Sequence, residues 1–374
     1  MAPADKKINI GIVIPTLDKG GAERVLVHFV NNIDHERYQV IVFCLKKKGN
    51  LLPMIDPRVT VLDIDCPRVY FSPPKINREV KKYKIDVLIG WMGHVNAVLA
   101  FFRPIFPKKM VLLCRESSIP SKFILHYTAP ALFRFMYRSL NRYDGIICQS
   151  QAMKDDLVEN FKVKPAKINV IHNPVVPSRK DTQMSGAASA FINDSKILLF
   201  VGRFSAEKQV ELLIETMQFI SNNYKLILVG YGPLEQELRQ KITDAALTDR
   251  ILIVNDCDDP TPYYKRANCL VLTSAFEGFP NVLLEANLQG CPVIVYKTKG
   301  GAKEIVTPQS GVYIDPQAEG GTKLLGDTIA DTCEHPERFN REEIAAMIRE
   351  RFDVKRTMNL YQNYIQEIFQ KKQS

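Results

Sequence analysis

Ile197-Leu198-Leu199-Phe200-Val201-Gly202-Arg203-Phe204-Ser205-Ala206-Glu207-Lys208 begins as an unbroken apolar run, turns at a glycine and then becomes charged. Five consecutive apolar residues suit a strand covered on both faces, since a half-exposed strand would alternate with polar residues. A glycine followed by polar residues is how such a strand leaves its sheet and enters a helix. The stretch therefore predicts the first strand-turn-helix step of a parallel α/β unit, begun near the middle of a 374-residue chain.

The same rhythm continues on both sides of it. Downstream, short apolar runs recur at 225–229, 251–254, 269–273, 292–295 and 312–314; upstream they stand at 8–14, 39–45, 59–62, 86–91, 110–114, 145–148 and 168–171. Amphipathic stretches separate them, as expected of parallel strands joined by crossover helices. Between the two series, 174–194 carries Pro174-Val175-Val176-Pro177 and the tract Ser185-Gly186-Ala187-Ala188-Ser189, which predict a linker and a mobile loop. After Gly320 the pattern is helical, and 355–369 has apolar residues at 358, 360, 361, 364, 365, 368 and 369, a stripe that must be buried. The reading is an α/β chain of two doubly wound domains, 1–173 and 174–354, followed by a helix over 355–374. Open sheets of this kind bind ligands beyond the carboxyl ends of their strands, so two of them facing one another predict a central cleft that holds the chemistry.

Composition narrows the function. Hydrophobic residues at 46% and charged residues at 24% mark a globular protein. The longest apolar runs, such as 97–102 and 197–201, fall far short of the ~20 residues that cross a bilayer. Residues 1–7 are polar and 8–14 lack the flanks of a secretory signal, so a cytoplasmic protein is expected. Cysteines at 44, 66, 114, 148, 257, 269, 291 and 333 form no Cys-x-x-Cys and read as small buried hydrophobes. A net charge of +9 favours an anionic partner: a phosphate-bearing substrate, an acidic membrane surface or nucleic acid. No aromatic-and-basic strand pattern or recognition helix supports nucleic acid. Lys19-Gly20-Gly21-Ala22 stands where a dinucleotide fingerprint would follow the first strand, and no Walker-type Gly-Lys-Ser/Thr occurs, which disfavours oxidoreductases and nucleoside triphosphatases.

The densest chemical signal is Ser274-Ala275-Phe276-Glu277-Gly278-Phe279-Pro280-Asn281-Val282-Leu283-Leu284-Glu285-Ala286. Glu277 reads as the end of a strand, Gly278 as a tight turn and Pro280 as the first turn of a helix. The backbone of 278–282 then forms an anion-friendly helix start. Glu285, deeper in that helix by roughly 7 to 8 Å, would reach a second part of a bound ligand. Taken alone, the pair reads more readily as a first-turn helix charge at Glu277 and a solvent-facing one at Glu285. The cations Arg203 and Lys208, at the mouth of an earlier strand, and glycines at further strand ends, Gly230-Tyr231-Gly232 and Gly300-Gly301, favour a phosphate-bearing ligand instead.

These motifs resemble the retaining GT-B glycosyltransferases of glycosyltransferase family 4. The resemblance runs from Gly20-Gly21-Ala22-Glu23-Arg24 through Gln149-Ser150 and His172-Asn173-Pro174 to the Glu277/Glu285 pair. It is nearest in look to enzymes that extend lipid-linked oligosaccharides or surface polysaccharides. It implies two Rossmann-like domains around a cleft, with the C-terminal helix packing back toward the first domain. It further implies that Arg203 and Lys208 hold a donor diphosphate, Glu277 the transferred sugar and Glu285 the ribose, with Gly21 approaching the diphosphate and Gly278, Phe279, Pro280, Asn281 and Val282 lining the site. Neither metal nor other cofactor is implied. The expected partners are a UDP-sugar, less readily a GDP-sugar, and a lipid-linked glycan acceptor. Where many relatives carry a histidine near the sugar, this chain reads Cys114-Arg115-Glu116, so Glu116 and His94, the latter in a strand-end loop, are the candidate catalytic side chains of the first domain.

Other readings stay open. Asp256-Cys257-Asp258-Asp259 has the look of a Mg²⁺ or Mn²⁺ motif but suits an Asx turn before Pro260. The stretch 108–142 mixes Phe123, Ile124, Leu125, Leu132, Phe133, Phe135 and Met136 with Lys122, Arg134, Arg138 and Arg142; it is either a core helix with a basic face or a peripheral contact with the inner face of an anionic membrane. A nucleotide-sugar epimerase and a non-catalytic partner on the same fold are the rival functions.

Overall fold

A computed structural model describes residues 7–127, 129–177, 182–255 and 257–374. The chain divides into two compact units. The first contains the described residues up to Pro174 together with Val354–Ser374; the second is Val175–Asp353.

The first unit is built on seven strands, β1 (Ile8–Ile14), β2 (Tyr38–Cys44), β3 (Thr60–Asp63), β4 (Val87–Gly90), β5 (Val111–Arg115), β6 (Gly145–Cys148) and β7 (Ile168–Val170). They lie in the order β3-β2-β1-β4-β5-β6-β7 and every pairing is parallel. β4 and β6 are buried at every position, as uninterrupted apolar runs require when helices cover both faces. The order reverses between β1 and β4, which opens a crevice at their carboxyl ends.

The second unit has β8 (Lys196–Val201), β9 (Tyr224–Val229), β10 (Ile251–Val254), β11 (Cys269–Leu272), a detached two-residue strand β12 (Phe276–Glu277), β13 (Val293–Tyr296), the partner of that short strand, β14 (Lys299–Gly300), and β15 (Gly311–Ile314). The main sheet runs β10-β9-β8-β11-β13-β15 and is again parallel, so its switch point falls between β8 and β11.

Three sequence expectations change here. The tract at 185–189 is not a loop: Gly186–Ile192 is a helix, started by Ser185 Oγ accepting from the Ala188 N–H at 3.2 Å and anchored by buried Ala188 and Ile192. Residues 178–181 of the expected linker lie outside the described residues. Glu277 ends a strand as expected, but the strand is the detached β12 rather than one of the main sheet, because β11 stops at Leu272 and β12 pairs only with β14. The terminal helix, Val354–Gln373, buries Met358, Tyr361, Tyr364 and Ile365 but leaves Leu360 48% exposed, since 360 falls off the i, i+3, i+4, i+7 face. That face packs into the core of the first unit, where the Tyr361 and Phe29 rings lie 5.3 Å apart. All eight cysteines are free and only Cys257 is less than buried, as expected of small hydrophobes.

Candidate functional site

At the switch point of the second sheet, two turns are clamped together. Thr273 Oγ1 donates to the carbonyls of Lys208 and Gln209 at 3.0 and 3.1 Å, and the Ala275 N–H donates to the Glu207 carbonyl at 2.8 Å. Lys208 sits in a single 3-10 turn, Ala206–Lys208, that replaces the helix start expected immediately after β8. The clamp sets Lys208 Nζ 2.6 Å from Glu277 Oε1, in a pair whose side chains keep only 20% and 13% of their surface in solvent. Ser274 Oγ donates to the same carboxylate oxygen at 2.7 Å. On the far side, the Gly301 N–H donates to the Gly278 carbonyl at 2.9 Å, so Glu277 is held by chain on both flanks.

The helix after Glu277 is Asn281–Leu288, with Pro280 at its cap. Proline has no N–H, so the amide row expected across 278–282 is interrupted at Pro280. Phe279 is buried and turns its ring against Phe352, at 5.8 Å. Asn281 and Val282 in the first turn are half-buried. Glu285, on the same helix, accepts a 2.9 Å hydrogen bond from the hydroxyl of Tyr264, which lies on the neighbouring helix Thr261–Arg266 and is 1% exposed. Arg203 stands exposed on the turn after β8 and its guanidinium has no partner among the described residues. The structure thus brings Lys208, Ser274 and Glu277 together, joins Tyr264 to Glu285, and leaves Arg203 pointing to solvent.

The glycines reserved for ligand approach are in two places needed by the backbone itself. Gly230, at φ +157°, lies so that a Cβ would meet the Gly202 carbonyl oxygen at 1.9 Å, and Gly300, at φ +151°, would meet that of Glu277 at 1.9 Å. Close packing of turn on turn explains them. Of the Asp256 cluster, Asp256 lies outside the described residues; Asp259 accepts from the Thr261 N–H and from Thr182 Oγ1, both at 3.0 Å, which is the Asx-turn arrangement.

In the first unit, Gly21 opens the helix Gly21–Asn32 directly after β1, with Gly20 at its cap, and Trp91 Nε1 donates to the Ala22 carbonyl at 2.9 Å. His94 lies in the first turn of the helix Gly93–Phe101 rather than in a loop. Glu116 follows β5 and is 1% exposed. Its Oε1 accepts from Asn96 Nδ2 at 3.0 Å and its Oε2 from the Tyr137 hydroxyl at 3.4 Å. Burial pushes the Glu116 carboxyl up to about 7, against the opposing effect of those hydrogen bonds. Burial also lowers His94 to about 4, so the ring is neutral near pH 7. The Tyr127 ring lies edge-on to His94 at 5.8 Å, and the Tyr137 and Tyr127 hydroxyls both stand over Gly93, where a Cβ would meet them at 2.2 and 3.2 Å, which closes the cluster.

The family described as Glycosyltransferase Family 4 matches residues 19–179, and the one described as Glycosyl transferases group 1 matches residues 184–344. The chain belongs to the family 4 glycosyltransferases, and its two parallel sheets are those of the GT-B fold. The family makes it a transferase. This glycosyltransferase is 27% identical over 317 residues to the N-acetylgalactosamine-N,N'-diacetylbacillosaminyl-diphospho-undecaprenol 4-alpha-N-acetylgalactosaminyltransferase of Campylobacter jejuni, covering 79% of this chain and 82% of that one. It is 24% identical to the amylovoran biosynthesis glycosyltransferase AmsD of Erwinia amylovora, covering 84% and 87%. Its fold is similar to that of Anabaena HepE in complex with UDP-glucose, with a TM-score of 0.79, 21% identity and coverage of 96% and 100%.

Ser274, Tyr264, Asn96, Tyr127 and Tyr137 were not foreseen as members of these sites. Ser274 had a local signal, standing three residues before Glu277. Tyr264 had none, because the pairing of its helix with Asn281–Leu288 is a tertiary event across 21 residues.

Proposed function

We propose that the chain moves a hexose or N-acetylhexosamine from a UDP-sugar to a sugar hydroxyl of a lipid-linked glycan or polysaccharide precursor, with retention of anomeric configuration and without a metal ion. The observation that carries this reading is the pairing of Lys208 with Glu277 at 2.6 Å, at the switch point of the second sheet. In the free enzyme each group satisfies the other. On donor binding, Lys208 shares its charge with the diphosphate, and Glu277 is released to accept hydrogen bonds from the hydroxyls of the transferred sugar.

Two unit charges 4 Å apart attract by about 4 kcal/mol at an effective dielectric near 20, before desolvation is counted. Arg203, exposed and uncommitted to protein, is the second cation for the same diphosphate. Together they supply the positive field that must strengthen as charge grows on the leaving oxygen, which is the task a metal ion performs in other transferases. Glu285, aligned by Tyr264, accepts from the ribose hydroxyls, and the amides of Gly278, Phe279, Asn281 and Val282 approach the phosphates. His94 and Glu116 are the candidates for handling the acceptor hydroxyl. The UDP-glucose bound to the Anabaena neighbour supports a uridine donor, and the diphospho-undecaprenol in the name of the Campylobacter relative supports a lipid-linked acceptor.

A thermal-shift screen against UDP- and GDP-sugars tests the donor, because a ligand that prefers the folded state raises Tm. The hit is then incubated with a polyprenyl-diphosphate glycan in EDTA, and the anomer formed is read by NMR. A UDP-sugar hit, EDTA-resistant turnover and a retained anomer are expected. Silence across the panel, loss of turnover in EDTA or an inverted anomer would each remove the corresponding part of the proposal. An epimerised sugar from the donor alone would support the rival epimerase.

A further inference from the structure

Where the chain leaves β3 it presents an aromatic pair that neither the Lys208–Glu277 site nor the Glu116 cluster uses. The single turn Val69–Phe71 follows β3 at the carboxyl edge of the first sheet. Phe71 is 64% exposed, and half-buried Tyr70 backs it, the two rings lying 5.1 Å apart and inclined by 72°. An exposed phenylalanine on its own is ordinary; this one stands on a fixed base. The Cys66 N–H donates to the Leu45 carbonyl at 2.8 Å and the Cys66 thiol to the Arg68 carbonyl at 3.3 Å, which ties the approach to the turn to the chain just after β2. The Phe71 N–H then donates to the Arg68 carbonyl at 3.1 Å, and Ser72, 1% exposed, donates through Oγ to the Val69 carbonyl at 2.6 Å. The turn packs on the helix Gly93–Phe101, whose first turn carries His94.

The surroundings identify the occupant. Among the described residues Phe71 is the one large hydrophobic side chain exposed between 55 and 104. Asp63, Asp65, Arg68 and Lys75, on either side of it in the chain, are exposed and offer both donors and acceptors. A small apolar face with a polar rim matches a pyranose, whose C–H bonds collect on the faces of the ring while its hydroxyls point outward. A ring held in advance supplies that contact at little cost in entropy. Other occupants fit less well. A bilayer asks for several inserting side chains beside a cationic face, and a stable protein interface buries about 800 Å² on each partner, whereas here one ring protrudes among charges of both signs.

We propose that Phe71, backed by Tyr70, is the platform on which a sugar ring of the acceptor glycan stacks. The inference rests on the glycan acceptor proposed above, but its test needs no donor. The full-length chain would be mixed in turn with lactose, maltose, cellobiose and N,N'-diacetylchitobiose, and saturation-transfer NMR would read which sugar protons touch the protein. Saturation is expected on the C–H protons of one ring face of at least one of these disaccharides. Phe71→Ala should weaken its binding roughly tenfold, and Phe71→Tyr should keep it. Both variants should retain the wild-type Tm, which separates loss of the platform from loss of the fold. Absence of saturation on every disaccharide, or equal affinity in wild type and Phe71→Ala, would overturn the proposal. So would a dimer that Phe71→Ala dissociates, since it would give the ring to a second copy of the chain. Glycan binding that Phe71→Ala weakens, in a chain whose Tm no nucleotide sugar raises, would support the platform and remove the donor reading; a nucleotide-sugar shift beside glycan binding indifferent to Phe71 would do the reverse.

Discussion

At the carboxyl edge of the second sheet the carboxylate of Glu277 meets a lysine, whereas at the carboxyl edge of the first the carboxylate of Glu116 meets only neutral donors, Asn96 and Tyr137. The two units share a topology and treat a charge at the same place in opposite ways. In the second, a cation stands against the carboxylate in a pair that still touches water. In the first, burial has moved the acid to about 7 and the neighbouring histidine to about 4. The lesson is that strand-end position alone does not make a binding site; what matters is whether the local chain supplies a counter-charge or withdraws water.

The contrast breaks first at Lys208. Lys208→Ala should lower kcat/KM by roughly 10² to 10³, the range for removing one preorganised electrostatic contact, while circular dichroism shows an intact fold. Near-normal turnover in a folded variant would mean that the pair with Glu277 is structural.

A smaller effect tests the other edge. Raising Glu116 from 4.5 to about 7 makes the folded state bind its proton more tightly, so this group lowers stability as pH rises through that window. Depressing His94 from 6.5 to about 4 does the reverse, because the unfolded chain then binds more protons, so stability falls as pH drops from 6.5 to 4. The two trends oppose each other between pH 4.5 and 6.5. Glu116→Gln should therefore leave stability rising with pH in that window, and should favour the variant at pH 8 over pH 5 by at most about 3 kcal/mol. The single tryptophan, Trp91, is buried in the first unit, so its fluorescence during urea unfolding reads the effect there. An unchanged slope would refute the burial of an acid at this edge.

The smallest expected change sharpens the comparison within the second unit. Tyr264→Phe removes one hydrogen bond to Glu285 and should cost about 1 kcal/mol, seen as a several-fold rise in donor KM with kcat nearly kept. The loss should be smaller for a 2'-deoxyribose donor, which offers Glu285 less to hold. Equal losses on both donors would make Tyr264 a packing residue.

Much of this was legible in the sequence, for identifiable reasons. The runs 145–148 and 251–254 coincide with β6 and β10, because buried parallel strands bounded by turns leave no competing pattern. Lys208 and Glu277 were legible as types at strand ends, but their direct bond was not, since it depends on Thr273 and Ala275 gripping a turn 65 residues earlier. The strand β12 was invisible because two residues carry no periodicity. The Ser185 tract misled because small residues signal a loop, while here an N-cap and a place in the core outweigh composition. Leu360 was misassigned to the buried stripe because it adjoins Tyr361, and only the 3.6-residue period separates them.

The helix Val354–Gln373 belongs to the first unit although the whole second unit precedes it in the chain. During translation the first unit therefore leaves the ribosome early and is finished late. Until Tyr361 and Ile365 arrive, the flank formed by Phe29 and Trp91 stays uncovered, open to chaperones and to aggregation. The second unit, made of one continuous segment, has no such wait.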